Sequence, residues 1–534
     1  MNTYLRDFRL HTSTTLVTFS VVLLFLFPLS RMVPATVLYG AVSLLFILAT
    51  AQVIYLSTVR IASLTLILAL LAAQLAVIDP QLVGLFGYDP YYIIENSYRV
   101  NSGHSLYEII NEYNSRFIIY LALLPIQTIF GTTIESTAKY LPLVNLISPW
   151  FVYLIVRNRT DAQTGLLSAI TFSASYPLIL FQSKFVPQSY AVPLFILSIF
   201  LITRSDNMSK TQSSLVLFPA LITTIFAHKV TAVMLVCGIS LLYSSSMLAR
   251  LSIIHQYFPI RYPSTSPAKI MSYAIGSIFL LILSFVFFSP MPTRALLISI
   301  FFSTSVDPAS TSFSTINIIK LLGTYSNLTM ILIFSVINAA ILLPRFERTW
   351  WETGLVAFNG LLIFLYGFQI IFSDLTGLHA NRLLMFAFPF LIAMSFILIR
   401  QIGTIKSRPG LATLFQLVIV IGFVFSQIAL ISPHVLQSEP TNIVEESHFS
   451  ESARDASFWA ERYSTHRVIG FEMDLWKFIG DNEYWNYPSE PECVSDHIYV
   501  TRQSYGIDID TSPQNAIYRT KGFTLSLCDE SRSA

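Results

Sequence analysis

The chain is short of charge. Only 12% of its 534 residues are Asp, Glu, Lys or Arg, against roughly 25% in an ordinary soluble protein. A soluble fold of this length must clothe itself in polar surface, and too little is present. Cysteine is scarce as well, at three residues, which excludes a disulfide-built scaffold. With 32 basic and 30 acidic residues, net +2, the chain lacks the broad basic face that nucleic acid requires. What it has instead is 54% hydrophobic residues, 42 of them Phe, and 14% aromatics. That apolar content excludes disorder. With a mean hydropathy of +0.63, the remaining class is an all-α polytopic membrane protein.

The charge is unevenly placed. From His434 to the end there are 17 acidic and 8 basic residues, and the first 433 residues hold 13 acids and 24 bases. The division predicts a basic transmembrane part, 1–433, followed by an acidic soluble part, 434–534. In the latter, Glu451–Tyr463 reads as an amphipathic helix, and HRVIGF (His466–Phe471) and HIYVTR (His497–Arg502) as short strands. A small C-terminal extracytoplasmic α/β domain is the expectation. Cys237 sits in an apolar run and reads as a small core residue. Cys493 and Cys528 either pair or stand as two thiols, since spacing does not fix their separation.

A membrane helix needs about 20 mostly apolar residues. Such runs occur at about 13–31, 35–56, 61–83, 140–157, 163–183, 186–203, 213–228, 230–248, 270–289, 326–343, 353–372, 382–399 and 411–431, predicting about 13 transmembrane helices. The run 13–31 is too long for a cleaved leader and is followed at once by another span. Bases cluster in alternate short loops, at Arg6/Arg9, Arg60, Arg157/Arg159, Arg204/Lys210, Arg250/Arg261/Lys269, Arg345/Arg348 and Arg400/Lys406/Arg408. By the positive-inside rule these loops and the N-terminus are cytoplasmic. The loop 84–139 and the soluble part then lie outside. This parity requires that Phe117–Gly131, a short run broken by Pro125, be a re-entrant or membrane-surface helix. TWWE (Thr349–Glu352) falls on the inner side and reads as an interfacial aromatic anchor.

Chemistry concentrates in the first outer loop, GYDPYYIIENSYRVNSGHSLYEIINEYNSR (Gly87–Arg116). Asp89 stands at the outer end of a span, flanked by Tyr88, Tyr91 and Tyr92, whose amphipathic rings suit the membrane–water boundary. A carboxylate there can accept a proton from an attacking hydroxyl, or hold a divalent cation beside a lipid phosphate. The plainer alternative is that Asp89 caps a helix starting at Pro90. Glu95 and Glu112 offer a second acid, or are polar residues of an amphipathic helix. Lys184, His228, Lys229 and Arg382 all fall on the side of Asp89, where they can hold an anionic head group or snorkel to lipid. Asp307 lies in a second long outer loop that either gates the site or merely connects spans. No His/Cys metal spacing and no phosphate-binding glycine loop is present.

The segment YDPYYIIENSYR (Tyr88–Arg99) resembles the D-P-Y-[FY] segment of oligosaccharyltransferase catalytic subunits. The overall plan, many spans with an acidic first outer loop and an external C-terminal domain, resembles the GT-C superfamily of membrane glycosyltransferases. The resemblance implies a polyprenyl (dolichyl) phosphate-linked sugar as donor, with a glycan, a lipid-linked glycan or a protein as acceptor. It assigns Asp89 the catalytic or metal-binding role, with Mg or Mn as the cofactor in the latter case. It also implies an Arg such as Arg382 at the start of a late helix. The W-W-D-Y-G motif of oligosaccharyltransferases is replaced here by YWNYP (Tyr484–Pro488), and the paired D-E of protein mannosyltransferases is absent because Pro90 follows Asp89. The expected partners are the lipid-linked donor, its acceptor and membrane lipids, with no nucleic acid. The rival expectations are a transporter or flippase of lipid-linked sugars and a noncatalytic membrane assembly subunit. Span interiors almost free of ionisable residues favour interfacial chemistry over a permeation path.

Overall fold

In a computed structural model the described residues are 35–56, 59–78, 93–94, 96–97, 100, 103, 105, 117–204, 209–251, 260–261, 267–288, 318–342, 348–371, 380–405, 409–436, 467–470, 497–502, 514–519 and 523–528. They are mostly helical. In chain order the first helices are α1 (Ala35–Ala51, continued by a π turn Gln52–Leu56), α2 (Val59–Ile78), α3 (Phe117–Phe130) and α4 (Ile134–Tyr140). A 3-10 segment Leu141–Ile147 joins α4 to α5 (Ser148–Arg157). Then come α6 (Ala162–Ser173), the short α7 (Tyr176–Ile179), a 3-10 turn Phe181–Ser183, α8 (Pro187–Thr203), α9 (Phe218–Ala227) and α10 (Lys229–Leu248). The last are α11 (Pro267–Phe288), α12 (Ile318–Ala340), α13 (Trp350–Ile371), α14 (Ala380–Ile405) and α15 (Pro409–Leu436).

Five segments are long and apolar enough to cross a membrane by length and composition: Ile134–Arg157, Lys229–Leu248, Trp350–Gln369, Arg382–Thr404 and Gly410–Leu430. Shorter apolar helices accompany them, and the chain is a helical membrane protein. The first expected span, 13–31, lies outside the described residues. The expected span 163–183 is not one helix. Its helix ends at Ala174, Ser175 is extended (φ −67°, ψ 134°) and a new turn begins at Tyr176. The cause is Pro177, which has no N–H for the carbonyl of Ser173 and whose ring would strike it. The opened backbone is satisfied from another helix, since Tyr176 N donates to Gln427 Oε1 at 2.9 Å. Gln427 in turn donates to Asn327 Oδ1 at 2.7 Å. Helix α3 has 14 residues, about 21 Å at 1.5 Å per residue, which is short of the ~30 Å hydrocarbon core.

Helix α14 is the centre of the bundle. From Leu383 to Ile399 its side chains are buried on every face, as expected of a helix that is apolar all round. Phe386 and Phe390 meet Phe195 of α8 edge-on at 5.3 and 5.7 Å, and Phe388 meets Phe423 of α15 at 5.6 Å. Some polar side chains inside the bundle bond one another across helices. Asn338 Nδ2 donates to Ser395 Oγ (2.7 Å) and Leu391 O (2.9 Å), while Asn359 Nδ2 donates to Asn338 Oδ1 (3.0 Å). Such bonds join helices where hydrocarbon offers no alternative partner. Helices α10 and α13 approach closely at Gly354, where a Cβ would lie 2.8 Å from Ser245 Oγ and 2.9 Å from Leu242 Cα.

One end of the bundle is rich in arginine and closed by ion pairs. Arg159, after α5, donates from Nε to Glu352 Oε1 at 2.7 Å, and Arg400 near the end of α14 reaches Asp161 at 2.8 Å. Arg204, at the end of α8, donates to Asn158 Oδ1. TWWE is here a capping box. Thr349 N and Oγ1 donate to Glu352 Oε2 (2.5 and 2.9 Å), and Glu352 N donates back to Thr349 Oγ1 (3.4 Å). Trp350 and Trp351 are buried in the core, so they are not the lipid-facing anchors expected. Helix α13 starts inside the bundle, and its first turn turns the rings inward. Beside it, β1 (Ile260–Arg261) pairs in parallel with β2 (Arg348–Thr349). Arg348 Nη1 donates to Ile341 O at 2.9 Å. Burial pushes its guanidinium below the ordinary arginine value, and the Glu352 carboxylate opposes that shift.

In the C-terminal part, β3 (Arg467–Gly470), β4 (His497–Arg502), β5 (Gln514–Arg519) and β6 (Phe523–Cys528) form one sheet in the order β3-β4-β6-β5. Strands β3 and β4 run parallel, while β6 is antiparallel to both β4 and β5. The two strands expected are present, and two more were not anticipated. The expected helix 451–463 and Cys493 lie outside the described residues.

Glu352 supports two elements from a site that is almost fully buried, whereas the Arg400–Asp161 pair is partly solvated. Breaking a buried pair costs about 3–5 kcal/mol and an exposed one about 0–1 kcal/mol. Glu352→Ala is therefore expected to unfold far more readily than Arg400→Ala in denaturant titrations of the detergent-solubilised protein. Equal losses would contradict the assignment.

Candidate functional site

The opposite end of the bundle carries Lys184, His228, Lys229 and Arg382. Asp89, Glu95 and Glu112 lie outside the described residues. The loop that holds the first two is nonetheless partly placed. Ile93 and Ile94 are buried in a second apolar cluster with Ile119, Tyr120, Leu123, Ile134, Ala138 and Phe185, and Tyr190 packs against it. Phe185 directly follows Lys184, so Ile93 and Ile94 share one apolar cluster with the Lys184 segment.

The Lys184 segment is a tight crank between the 3-10 turn and α8. Lys184 O accepts from Val186 N (3.0 Å) and from Ser189 Oγ (2.5 Å), and Ser189 N donates to Val186 O (2.9 Å). Pro187 opens α8 at a position where no N–H is needed. The Phe185 and Tyr190 rings meet edge-on at 6.1 Å. Lys184 itself is half-buried. The crank is anchored on two sides. Asn145 Nδ2 donates to Gln182 O at 2.9 Å, and Gln182 Nε2 reaches Met385 Sδ at 2.9 Å.

That last contact relates Lys184 to Arg382. Met385 lies three residues after Arg382 on α14, on the same helix face. Helices α8 and α14 also run side by side, with Phe195 against Phe386 and Phe390. Their N-terminal ends, which carry Lys184 and Arg382, are therefore on one end of the bundle. Arg382 is half-buried in the first turn of α14.

His228 and Lys229 form the corner between α9 and α10 at this same end, since Ser198 of α8 faces Thr224 of α9 and Ile199 faces Gly238 of α10. The two residues differ in what they do. His228 is extended (φ −157°, ψ 129°) and caps α10, its Nδ1 accepting from Thr231 N at 3.3 Å and lying 2.9 Å from the Thr231 hydroxyl. Nδ1 is thus committed to the helix, and donation to an anion falls to Nε2. Lys229 is buried at the first position of α10, where the helix dipole already makes the end positive.

Two groups at this end were not anticipated. Lys139 is a further buried cation, in the last turn of α4. Asn145 and Gln182 are uncharged and buried, at 0% and 1% exposure, and no composition signal marks them. Among the described residues, no group of three His, Cys, Asp or Glu side chains stands together to hold a metal ion.

No protein-family profile and no curated protein sequence matches the chain. Among solved structures, ArnT from Cupriavidus metallidurans in the apo state aligns at 9% identity over 86% of this chain and 96% of its own, with a TM-score of 0.51. The Archaeoglobus fulgidus oligosaccharyltransferase in the apo form aligns at 10% identity over 83% of this chain, with a TM-score of 0.47. The chain spans 63% of that archaeal enzyme's length. The chain therefore shares its fold with ArnT, and the resemblance to GT-C glycosyltransferases holds at the level of the fold.

If His228 acts as a cap, His228→Asn preserves the side-chain acceptor and melts close to the wild type, whereas His228→Ala loses about 1 kcal/mol. Equal melting of all three proteins would contradict the capping role.

Proposed function

We propose that the chain is a membrane glycosyltransferase that moves a sugar from a polyprenyl-phosphate donor to a glycan, a lipid-linked glycan or a protein. The observation that carries this reading is the gathering of Lys184, Arg382 and the His228–Lys229 corner at one end of a bundle whose fold is shared with ArnT. In this reading that end faces outward and the arginine-rich end faces the cytoplasm, in keeping with the positive-inside rule. The C-terminal sheet belongs to a separate extracytoplasmic domain.

The chemistry follows from the charges. An acceptor hydroxyl attacks the anomeric carbon, the bond from that carbon to the phosphate oxygen breaks, and configuration inverts in the single displacement. The phosphate begins as a diester with one negative charge and leaves as a monoester with two. A fixed cation therefore gains more in the transition state than in the bound donor, which is the condition for catalysis rather than mere binding. Lys184, Lys229 and Arg382 are the groups for this role, with Lys139 close to the same end. Asp89 takes the proton of the attacking hydroxyl. If a divalent cation takes part, Asp89 is its ligand, and the metal supplies further neutralisation of the phosphate.

The test is transfer of labelled sugar from polyprenyl-phosphate donors in membranes containing each variant at normal expression. Asp89→Asn is expected to lower the rate by about 10²-fold or more, and Arg382→Gln by about 10²–10³-fold. Full transfer by Asp89→Asn would remove that residue from the mechanism. Full transfer by Arg382→Gln, Lys184→Gln and Lys229→Gln alike would remove the phosphate site.

A further inference from the structure

We infer that the crank around Lys184 and the 3-10 segment packed on it form a subsite for the hydroxyl groups of a sugar ring. The inference deepens the glycosyl-transfer reading and rests on it for the nature of the ligand, though its test does not.

A buried amide or hydroxyl without a hydrogen bond is costly, and natural proteins leave few of them. Among the described residues seventeen buried side-chain atoms have no partner, and two adjoining segments carry four of them. Asn145 Oδ1, Gln182 Oε1, Gln188 Nε2 and the Tyr190 hydroxyl are all buried and without a hydrogen-bond partner. Three of the four residues are themselves more than nine-tenths buried. They are not strays from distant parts of the bundle. Asn145 is bonded to the backbone of Gln182, and residues 182–190 are folded into one crank by the bonds to Lys184 O and Val186 O.

Asn145 and Gln182 are each held by one amide atom and open at the other. Asn145 uses Nδ2 on Pro142 O and Gln182 O, which fixes its Oδ1 as the open acceptor. Gln182 uses Nε2 on Met385 Sδ, which leaves its Oε1 open in the same way. Gln188 contributes an open donor, and Tyr190 a group that both donates and accepts. The set therefore holds acceptors and donors in mixture and no charge of its own. A phosphate would want donors only. A hydroxylated ring, in which each hydroxyl both donates and accepts, matches the mixture. Lys184 supplies the cation within the same crank, and Arg382 lies one turn from the Gln182 contact on α14. A phosphate bound by those cations would carry its sugar to the open amides.

The test uses the full chain in lipid nanodiscs with three probes: polyprenyl phosphate, polyprenyl phosphate bearing glucose or mannose, and a panel of soluble methyl glycosides observed by saturation-transfer NMR. The variants are Gln182→Met, Gln188→Leu and Tyr190→Phe. The last removes one oxygen atom and keeps the ring against Phe185, so it folds even if the others do not. The wild type is expected to bind the sugar-bearing lipid more tightly than the bare lipid phosphate, or to bind glycosides. Each variant is expected to lose about tenfold in that sugar-dependent binding, and Gln188→Leu and Tyr190→Phe none in binding of the bare lipid phosphate. Gln188→Leu is also expected to melt no lower than the wild type, because it replaces an unsatisfied amide with an apolar group.

Glycoside binding without sugar-dependent lipid binding assigns the subsite to the acceptor's sugar. Glycoside binding by a protein that takes neither lipid upholds the subsite and sinks the polyprenyl-phosphate reading. Unchanged sugar binding in all three variants, or no sugar binding of either kind by the wild type, overturns the subsite and leaves the four atoms to buried water.

Discussion

Low dielectric is the constraint on which the rest of the structure depends. An apolar helix such as α14, buried along its whole length, cannot share its surroundings with an unpaired charge. Among the described residues, the Asp, Glu, Lys and Arg side chains stand toward one end or the other. The bundle thus has two polar ends separated by a core of Phe, Leu and Ile, and the ends are built differently. At one, Glu352 and Asp161 neutralise Arg159 and Arg400, and the result is a closed structural clamp. At the other, cations from four elements share the end with buried amides that have, among the described residues, one atom without a hydrogen-bond partner.

The break at Pro177 is what makes that end. A continuous helix over 163–183 would have carried its apolar side chains straight through. Because the proline interrupts it, the chain makes a short turn, a 3-10 turn and a crank before α8 begins. These irregular pieces present backbone and amide groups at the end of the bundle. They are tolerated because other helices satisfy the freed groups, as Gln427 does for Tyr176. Irregular backbone in a membrane bundle is a recurring mark of a binding region.

Much of the helical plan was legible in the sequence, because an apolar run of about 20 residues forms little else than a membrane helix. The positions of Lys184, His228 and Arg382 at helix starts were legible for the same reason, as charges at the ends of apolar runs. Four things were not. The T-x-x-E of Thr349–Glu352 is a capping-box signature, but the two tryptophans within it suggested a lipid anchor instead. The role of His228 as a cap depends on its extended backbone, which no spacing reveals. Asn145 and Gln182 are neutral residues in apolar surroundings, and their significance lies in which of their atoms are bonded. Strands β5 and β6 were missed because QNAIYR and FTLSLC are short and only weakly alternating.

The central claim is that the end bearing Lys184 and Arg382 receives the phosphate of a lipid-linked sugar. A photoreactive polyprenyl phosphate, crosslinked to the protein in nanodiscs and mapped by mass spectrometry, tests it directly. The account predicts labelling within residues 181–190 and at the start of α14, with competition by unlabelled polyprenyl phosphate. Labelling confined to the arginine-rich end around Arg159 and Glu352, or scattered labelling that no competitor displaces, would contradict it.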